Sequence, residues 1–167
     1  MRVLLQRVKQ ASVTVNGVIT GQIAHGILVF VGIAANDTVH EIEWISHKIT
    51  NLRIFSDEDG KMNRSVSDVQ GGILLVSQFT LYGDAQKGLR PSYINAAPPE
   101  IAEPLYNQML EHLRDKSGLR VEAGIFAAMM DVELINDGPV TIWLERERGK
   151  ESSGTPNNPP SSQVQSA

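Results

Sequence analysis

Cysteine is absent from the sequence, which excludes disulfides and thiolate chemistry. No apolar run approaches the roughly 18 residues that a membrane span needs. The N-terminus has no basic segment followed by an apolar stretch, so no signal peptide is expected. A basic excess is missing too. The formal net charge is −4, which argues against coating nucleic acid along its length, because such binding draws on many lysine and arginine contacts with phosphate. A small contact with one RNA end stays open through Arg7 and Lys9, Arg53, Lys61 and Arg64, or Lys87 and Arg90; an ordinary solvated surface is the plain alternative for each cluster. No glycine cluster has the spacing of a dinucleotide-binding or P-loop fingerprint. The G-x-S-x-G elbow of a serine hydrolase is absent, and so is HExxH. His40 and His47 stand seven apart, about 10 Å along a helix, too far to chelate one ion together. The acidic turn Ser56–Lys61 is too short and wrongly spaced for an EF-hand loop. A soluble cytoplasmic protein without internal repeats is expected.

What remains is an ordinary globular balance. Over 167 residues, 41% are hydrophobic and 20% charged, enough for one domain with a real core. Residues 2–8 alternate as a strand does. Asn16-Gly17 between β-branched runs is a strong hairpin signal, because both turn residues must accept positive φ. Ile27 to Ile33 is nearly unbroken and apolar, apt for a central strand. Thr38 and Glu41 have capping-box spacing, and Ile42, Ile45, Ile49 and Leu52 then share one helix face. Arg53-Ile54-Phe55 reads as a short strand and residues 61–72 as loop. A second helix starts at Pro98-Pro99-Glu100, buries a stripe of Ile101, Leu105, Met109 and Leu113, and closes at Ser117-Gly118. Leu119 to Glu122 is a candidate short strand. Val132–Ile135 and Val140–Leu144 read as the last two strands, with Asp137-Gly138 as the hairpin turn between them. Pro139 complicates that turn: it is tolerated at the first residue of a strand, and an X-Pro bond can be cis. The expected fold is α+β, an antiparallel barrel-like sheet with two main helices over residues 1–148. Residues 149–167, polar and poor in large apolar side chains, are expected to be a disordered tail.

Chemistry concentrates after one short strand. Ile73-Leu74-Leu75-Val76 is wholly apolar, and at its end stands Ser77-Gln78-Phe79-Thr80-Leu81-Tyr82-Gly83-Asp84. Hydroxyls and an amide around one aromatic, at the end of a buried strand, sit on rigid scaffold. The bland alternative is a strand end satisfying its own backbone. The loop from Asp84 to Tyr93 is long enough to be functional. Gly124–Met130 is small and apolar, suited to a pocket wall or, more plainly, to core.

The stretch SQFTLYGD at 77–84, together with NDGPVTIWL at 136–144, resembles the D-aminoacyl-tRNA deacylase family of bacteria and eukaryotes. The likeness includes the opening MRVLLQRVKQASVTVNG, the segment NLRIFSDEDGKMN, and KGLRPSYINAAPPEIAEPLY, and it covers roughly residues 1 to 145. It implies a homodimer that hydrolyses the ester between a D-amino acid and the terminal adenosine of tRNA, with no cofactor and no metal. It implies a catalytic pocket of Ser77, Gln78, Phe79 and Thr80. Amides of Phe79 and Thr80 would lie near the oxyanion, and the Phe79 ring against the terminal adenine. It further implies that Gly138 and Pro139, joined by a cis bond, enter the partner subunit's pocket and turn carbonyl oxygens toward the substrate's α-carbon. A D-side chain would point away from them, an L-side chain would be driven into them, and glycine would pass: selection by rejection. Met130 is carried over as a substrate-binding residue. Two positions depart from the family's pattern, Tyr93 where Phe is usual and Met129 where Asp is usual, and the second alters polarity beside Met130.

Thr80 is the candidate side-chain nucleophile, but an unassisted threonine hydroxyl is a poor one. The other route, which we favour, uses the ribose 2′-hydroxyl of the tRNA itself. Two further readings compete. A non-catalytic nucleic-acid or protein-binding module would use the same dimeric scaffold. A Ser/Thr esterase for small esters would need a histidine base beside Thr80 or Ser77.

Overall fold

The strand β1, Arg2–Val15, is the one on which the rest of the sheet is assembled. The computed structural model describes residues 1–147, so the expected tail at 149–167 lies outside the described residues. In its first half β1 points Val3 and Leu5 into the main core; after an irregularity around Val8 it points Val8, Ala11 and Val13 into a second, smaller one. Asn16 and Gly17, both at positive φ, turn the chain into β2, Val18–Ile23, as the Asn-Gly signal predicts. β3, Gly26–Gly32, pairs antiparallel with residues 2–8 of β1.

The helix α1, Val39–Asn51, follows, with the capping box formed: Glu41 Oε2 accepts from the Thr38 amide at 2.7 Å, and Thr38 Oγ1 accepts from the His40 amide at 3.3 Å. Burial raises the Glu41 carboxyl, but its bonds to the Thr38 hydroxyl and amide outweigh that and hold it below its ordinary value. Thr38→Ala removes the side-chain acceptor and should cost about 1 kcal/mol, a fall of about 2–4 °C in melting temperature for a protein of this size. An unchanged thermal melt would show that the cap contributes nothing.

The short hairpin of β4, Phe55–Ser56, and β5, Met62–Arg64, comes next; part of the expected 61–72 loop is therefore strand. β6, Gly72–Ser77, runs parallel to β3. A 3₁₀ turn, Phe79–Tyr82, and α2, Pro99–Ser117, lead to β7, Val121–Ala123, which runs parallel to β6. The main sheet has the order β2-β1-β3-β6-β7. Gly21 closes it toward a barrel, because a Cβ there would stand 2.7 Å from the Ala123 carbonyl oxygen on β7.

The sheet is thus mixed rather than antiparallel. Each helix is the crossover between two strands of the same direction, and strands joined through a helix pair in parallel, whereas only tight turns give antiparallel neighbours. Of the three parallel strands, β3 and β6 are buried on both faces, which is why they read as unbroken apolar runs. On β3, Ile27, Val29 and Val31 enter the main core and Leu28 the second; on β6, Ile73 and Leu75 face the main core and Leu74 and Val76 the second. In α2 the buried stripe is Ala102, Tyr106, Met109 and Leu113. Ile101 is 39% exposed and Leu105 only partly buried, so the first half of the expected stripe is rotated by one residue. Tyr106 sets that rotation: its ring is fully buried and its hydroxyl donates to the Leu75 carbonyl at 3.0 Å. Burial pushes that hydroxyl up to about 12, so it stays a donor.

The largest departure from expectation is at the end. Val132–Ile135 and Val140–Leu144 are not a hairpin. They belong to one strand, β8, Asp131–Glu145, which runs antiparallel along almost all of β1, from Thr14 opposite Asp131 to Arg2 opposite Glu145. Between Asn136, paired with Val8, and Thr141, paired with Gln6, the strand bulges outward, and Asp137-Gly138-Pro139-Val140 is that bulge. A bulge absorbs extra residues without reversing the chain. Among the described residues, β1 is the one strand that pairs with β8.

The N-terminal ammonium of Met1 is buried in this frame. It donates to Asp37 Oδ1 and to the Arg146 carbonyl, both at 2.6 Å, while Asp37 Oδ2 accepts from the Ala34 amide at 2.7 Å. Burial raises the Asp37 carboxyl, against the pull of the ammonium and the Ala34 amide. No helix among the described residues is long and apolar enough to cross a membrane.

Candidate functional site

At the end of β6 the ladder with β3 finishes on a bond from the Gln78 amide to the Val31 carbonyl, 2.7 Å. The chain then tightens into the 3₁₀ turn, with Leu81 N–H on the Gln78 carbonyl at 3.2 Å and Gly83 N–H on that of Thr80 at 2.9 Å. Phe79 and Thr80 stand in the first turn of that segment, where no carbonyl of the same segment reaches their amides. The Gln78 side-chain amide donates to Thr80 Oγ1. Two amides that no acceptor among the described residues claims, just past a strand end and beside a side-chain amide, are suited to hold a developing oxyanion.

These residues open onto a cavity of about 620 Å³. Ser77, Gln78 and Phe79 form one side of it. Phe79 is 57% exposed and meets the Tyr93 ring edge-on, centroids 5.2 Å apart; Tyr93 is also part of the lining. The start of α2 contributes Pro98 and Ala102. The turn from Phe126 to Met130 is a further part of the wall. That segment is a pocket wall rather than the plain core that its composition suggested. Ala127 takes a positive φ of 59° at its tip, and Met129 is 91% exposed. Met130 packs partly on the second core, fitted against Gly124, where a Cβ would stand 2.5 Å from its sulfur.

Of the residues singled out in the sequence, Ser77, Gln78, Phe79 and Met130 line one cavity. Thr80 stands beside it: its side chain is exposed, is not part of the lining, and is held by Gln78. None of the four histidines lines the cavity, and among the described residues no three His, Asp or Glu side chains converge as metal ligands would.

Gly138 and Pro139 lie elsewhere. They sit exposed on the bulge of β8, joined by a cis peptide bond, and are not part of the lining of their own chain's cavity. A buried arginine that the charge reading placed among surface clusters secures the bulge. Arg7 is 8% exposed. Its guanidinium donates to the carbonyls of Asp137 at 3.1 Å and Gly138 at 3.2 Å, and to that of Ile54, and it pairs with the Asp137 carboxylate at 2.9 Å. Asn136 ties the base of the bulge, donating to the carbonyls of Arg7 at 2.9 Å and Val140 at 3.2 Å. The signal was present in the sequence: Val3, Leu5 and Arg7 alternate on one face, so Arg7 follows two core residues inward.

The family model for D-Tyr-tRNA(Tyr) deacylase matches residues 4–145, nearly the whole of this architecture. The chain belongs to that family. It is 56% identical over 148 residues to the D-aminoacyl-tRNA deacylase of Desulfotalea psychrophila, covering 89% of this chain and 99% of the relative. It is 59% identical over 145 residues to that of Brevibacillus brevis, covering 87% and 99%. Among solved structures it is similar to a c-Myc DNA unwinding element binding protein, with a TM-score of 0.82, 47% identity, and 88% and 99% of the two chains covered. A probable eukaryotic D-amino acid tRNA deacylase, 18% identical with a TM-score of 0.77 over 86% and 97% of the chains, shares the fold. Within the deacylase family, then, this chain presents its 77–80 motif at a cavity mouth and its Gly-Pro dipeptide on a clamped bulge.

Proposed function

We propose that this protein hydrolyses the ester that joins a D-amino acid to the terminal adenosine of tRNA. The observation that carries the reading is the Ser77–Phe79 segment opening onto a 620 Å³ cavity, with Thr80 beside it, in a chain matched by the deacylase family from residue 4 to 145. An ester needs little activation beyond a placed water and a stabilised oxyanion. The amides of Phe79 and Thr80 take the oxyanion, Gln78 holds the turn, and the Phe79 ring lies against the adenine. Water adds to the ester carbonyl, the tetrahedral intermediate collapses, and the ribose 3′-oxygen leaves with a proton; the neighbouring 2′-hydroxyl assists the proton movement. Thr80→Ala should therefore keep substantial deacylation. Complete loss of activity in a folded Thr80→Ala protein would instead make its hydroxyl the nucleophile.

Selection resides in a second copy. Two copies meet along β8, whose outer edge is unpaired among the described residues and which bears half-exposed Ile135 and Trp143. Gly138 and Pro139 of one copy enter the other's cavity, and their carbonyls exclude an L-side chain. Glycyl-tRNA, with no side chain to exclude, is also cleaved. The site of action is the cytoplasm, where tRNA is charged and used.

The deciding experiment is parallel deacylation of D-Tyr-tRNA, L-Tyr-tRNA and Gly-tRNA by the purified protein, with its solution mass measured alongside. Loss of the D-ester and the glycyl ester with the L-ester spared, by a dimer, is the expected result. Equal loss of D and L esters would overturn selection by rejection. A folded protein that cleaves none of them would favour the binding-module reading, in line with the name of its structural neighbour, the c-Myc DNA unwinding element binding protein.

A further inference from the structure

We infer that the loop from Asp84 to Ser92 is a contact for the RNA backbone just 5′ of the terminal adenosine, an interaction surface separate from the cavity and resting on the deacylase reading. Four observations point to it. First, the loop rises from the cavity mouth. Its base is a two-bond bridge between Asp84 and Ser92, both bonds 2.8 Å, and the next residue, Tyr93, lines the cavity and touches Phe79. Second, it projects from the body. Every residue from Gly83 to Asn95 is exposed, and Gly88, at a positive φ of 73° on the tip, has nothing within 4 Å of where a Cβ would stand. Third, its two cations are uncommitted: neither Lys87 nor Arg90 is within ion-pair distance of a carboxylate among the described residues. The one acid of the loop, Asp84, is at the base, where its carboxylate accepts from the Gln86 amide at 2.9 Å. Fourth, the fold leaves apolar side chains in water on the loop and just past its base, Leu89 at 103% and Ile94 at 87% exposure.

These features have one common use. A 620 Å³ cavity has room for an aminoacylated nucleoside and little more of a tRNA, so the preceding nucleotides must pass over the mouth. The tip stands at most about 13 Å from the bridge, four residues at roughly 3.3 Å each, so Lys87 and Arg90 reach the first phosphates outside. In a protein of net charge −4, attraction to RNA has to come from such a local pair. Leu89 and Ile94 lie alongside as cover for ribose and base faces.

The test compares the wild type with Lys87→Ala/Arg90→Ala on D-Tyr-tRNA and on D-Tyr-adenosine, over a range of salt concentrations. The double variant should raise KM for the tRNA about tenfold at physiological salt with kcat held. The slope of log(kcat/KM) against log salt should become shallower by about two, one for each phosphate that the variant no longer neutralises. Hydrolysis of D-Tyr-adenosine should not change, and Lys87→Arg/Arg90→Lys should restore both KM and slope. An unchanged KM and slope on tRNA, with the wild type active on both esters, would overturn this inference alone. Equal impairment on D-Tyr-adenosine would overturn it by making the loop part of the cavity's architecture. A wild type inactive on both esters would overturn the deacylase reading and this inference with it.

Discussion

Arg7→Ala is expected to collapse the preference for D over L esters by more than tenfold while leaving a folded protein. Arg7 is the buried group that fixes the Asp137 and Gly138 carbonyls. Without it, Gly138 and Pro139 keep their covalent geometry but lose their position, and the proposed rejection by close contact would fail once the excluding atoms can retreat; a shift worth 1.4 kcal/mol is already a factor of about ten. The stability cost is smaller than the loss of a buried cation suggests. Gly138 is exposed and Asp137 half-buried, so water can replace the guanidinium at both carbonyls. The carbonyl of Ile54, a residue only 5% exposed, is the one stranded, at about 1–3 kcal/mol. Arg7→Lys should recover part of the preference, because an ammonium keeps the charge and N–H donors but lacks the rigid planar fork that spans these carbonyls in fixed directions. The measurement is the ratio of D-Tyr-tRNA to L-Tyr-tRNA deacylation beside a thermal melt. A folded Arg7→Ala protein with the wild-type ratio would remove the bulge from chiral selection.

The second large effect concerns stability alone. Asp37→Asn should cost about 3–5 kcal/mol, the usual result of taking one partner from a buried ion pair. The Met1 ammonium and the Asp37 side chain are 0% and 1% exposed, so no water stands in for the lost charge. The amide can still accept one bond, but it cannot serve both the ammonium and the Ala34 amide as the carboxylate does through its two oxygens. For a protein of this size the melting temperature should fall on the order of 10 °C, with the D to L ratio of the surviving folded protein unchanged. A melt within about 2 °C of wild type, roughly the effect of a lost helix cap, would show that burial of the pair contributes nothing net. That outcome has a physical basis, because burial raises the Asp37 carboxyl and desolvation can offset the attraction.

Local chemistry is the legible part of this sequence. The Asn16-Gly17 turn, the Thr38/Glu41 cap and the isoleucine face of α1 all form where short-range rules put them. So does the abrupt change of character after Val76, which opens the cavity. What is not legible depends on distant partners. The parallel pairing of β3, β6 and β7 follows from how the helices cross over, not from any strand's own residues. Asp137-Gly138 has the composition of a hairpin turn, yet β1 is long enough to pair on both sides of it, and fourteen residues of continuous partner strand outweigh two turn formers. The rotated stripe of α2 reflects one long-range bond, from Tyr106 to Leu75. Thr80, next to Phe79 in sequence, leaves the cavity because the 3₁₀ turn points it outward. Arg7 is readable from strand alternation, but its charge suggests a surface instead.

The continuity of β8 matters for inheritance. One strand carries Val132 on the wall of its own copy's cavity and, a few residues on, the Gly138-Pro139 bulge that the proposed dimer lends to the other copy. In that proposed dimer each subunit would be both a catalyst and its neighbour's censor, two duties that can be damaged separately. Consider a cell with two faulty alleles, one spoiling Ser77–Thr80 and the other the bulge. In a mixed dimer both faults fall on the same site, and the remaining site combines the sound pocket of one product with the sound bulge of the other. Two alleles that each fail alone would complement, and one of the two sites in every mixed dimer would work with full fidelity.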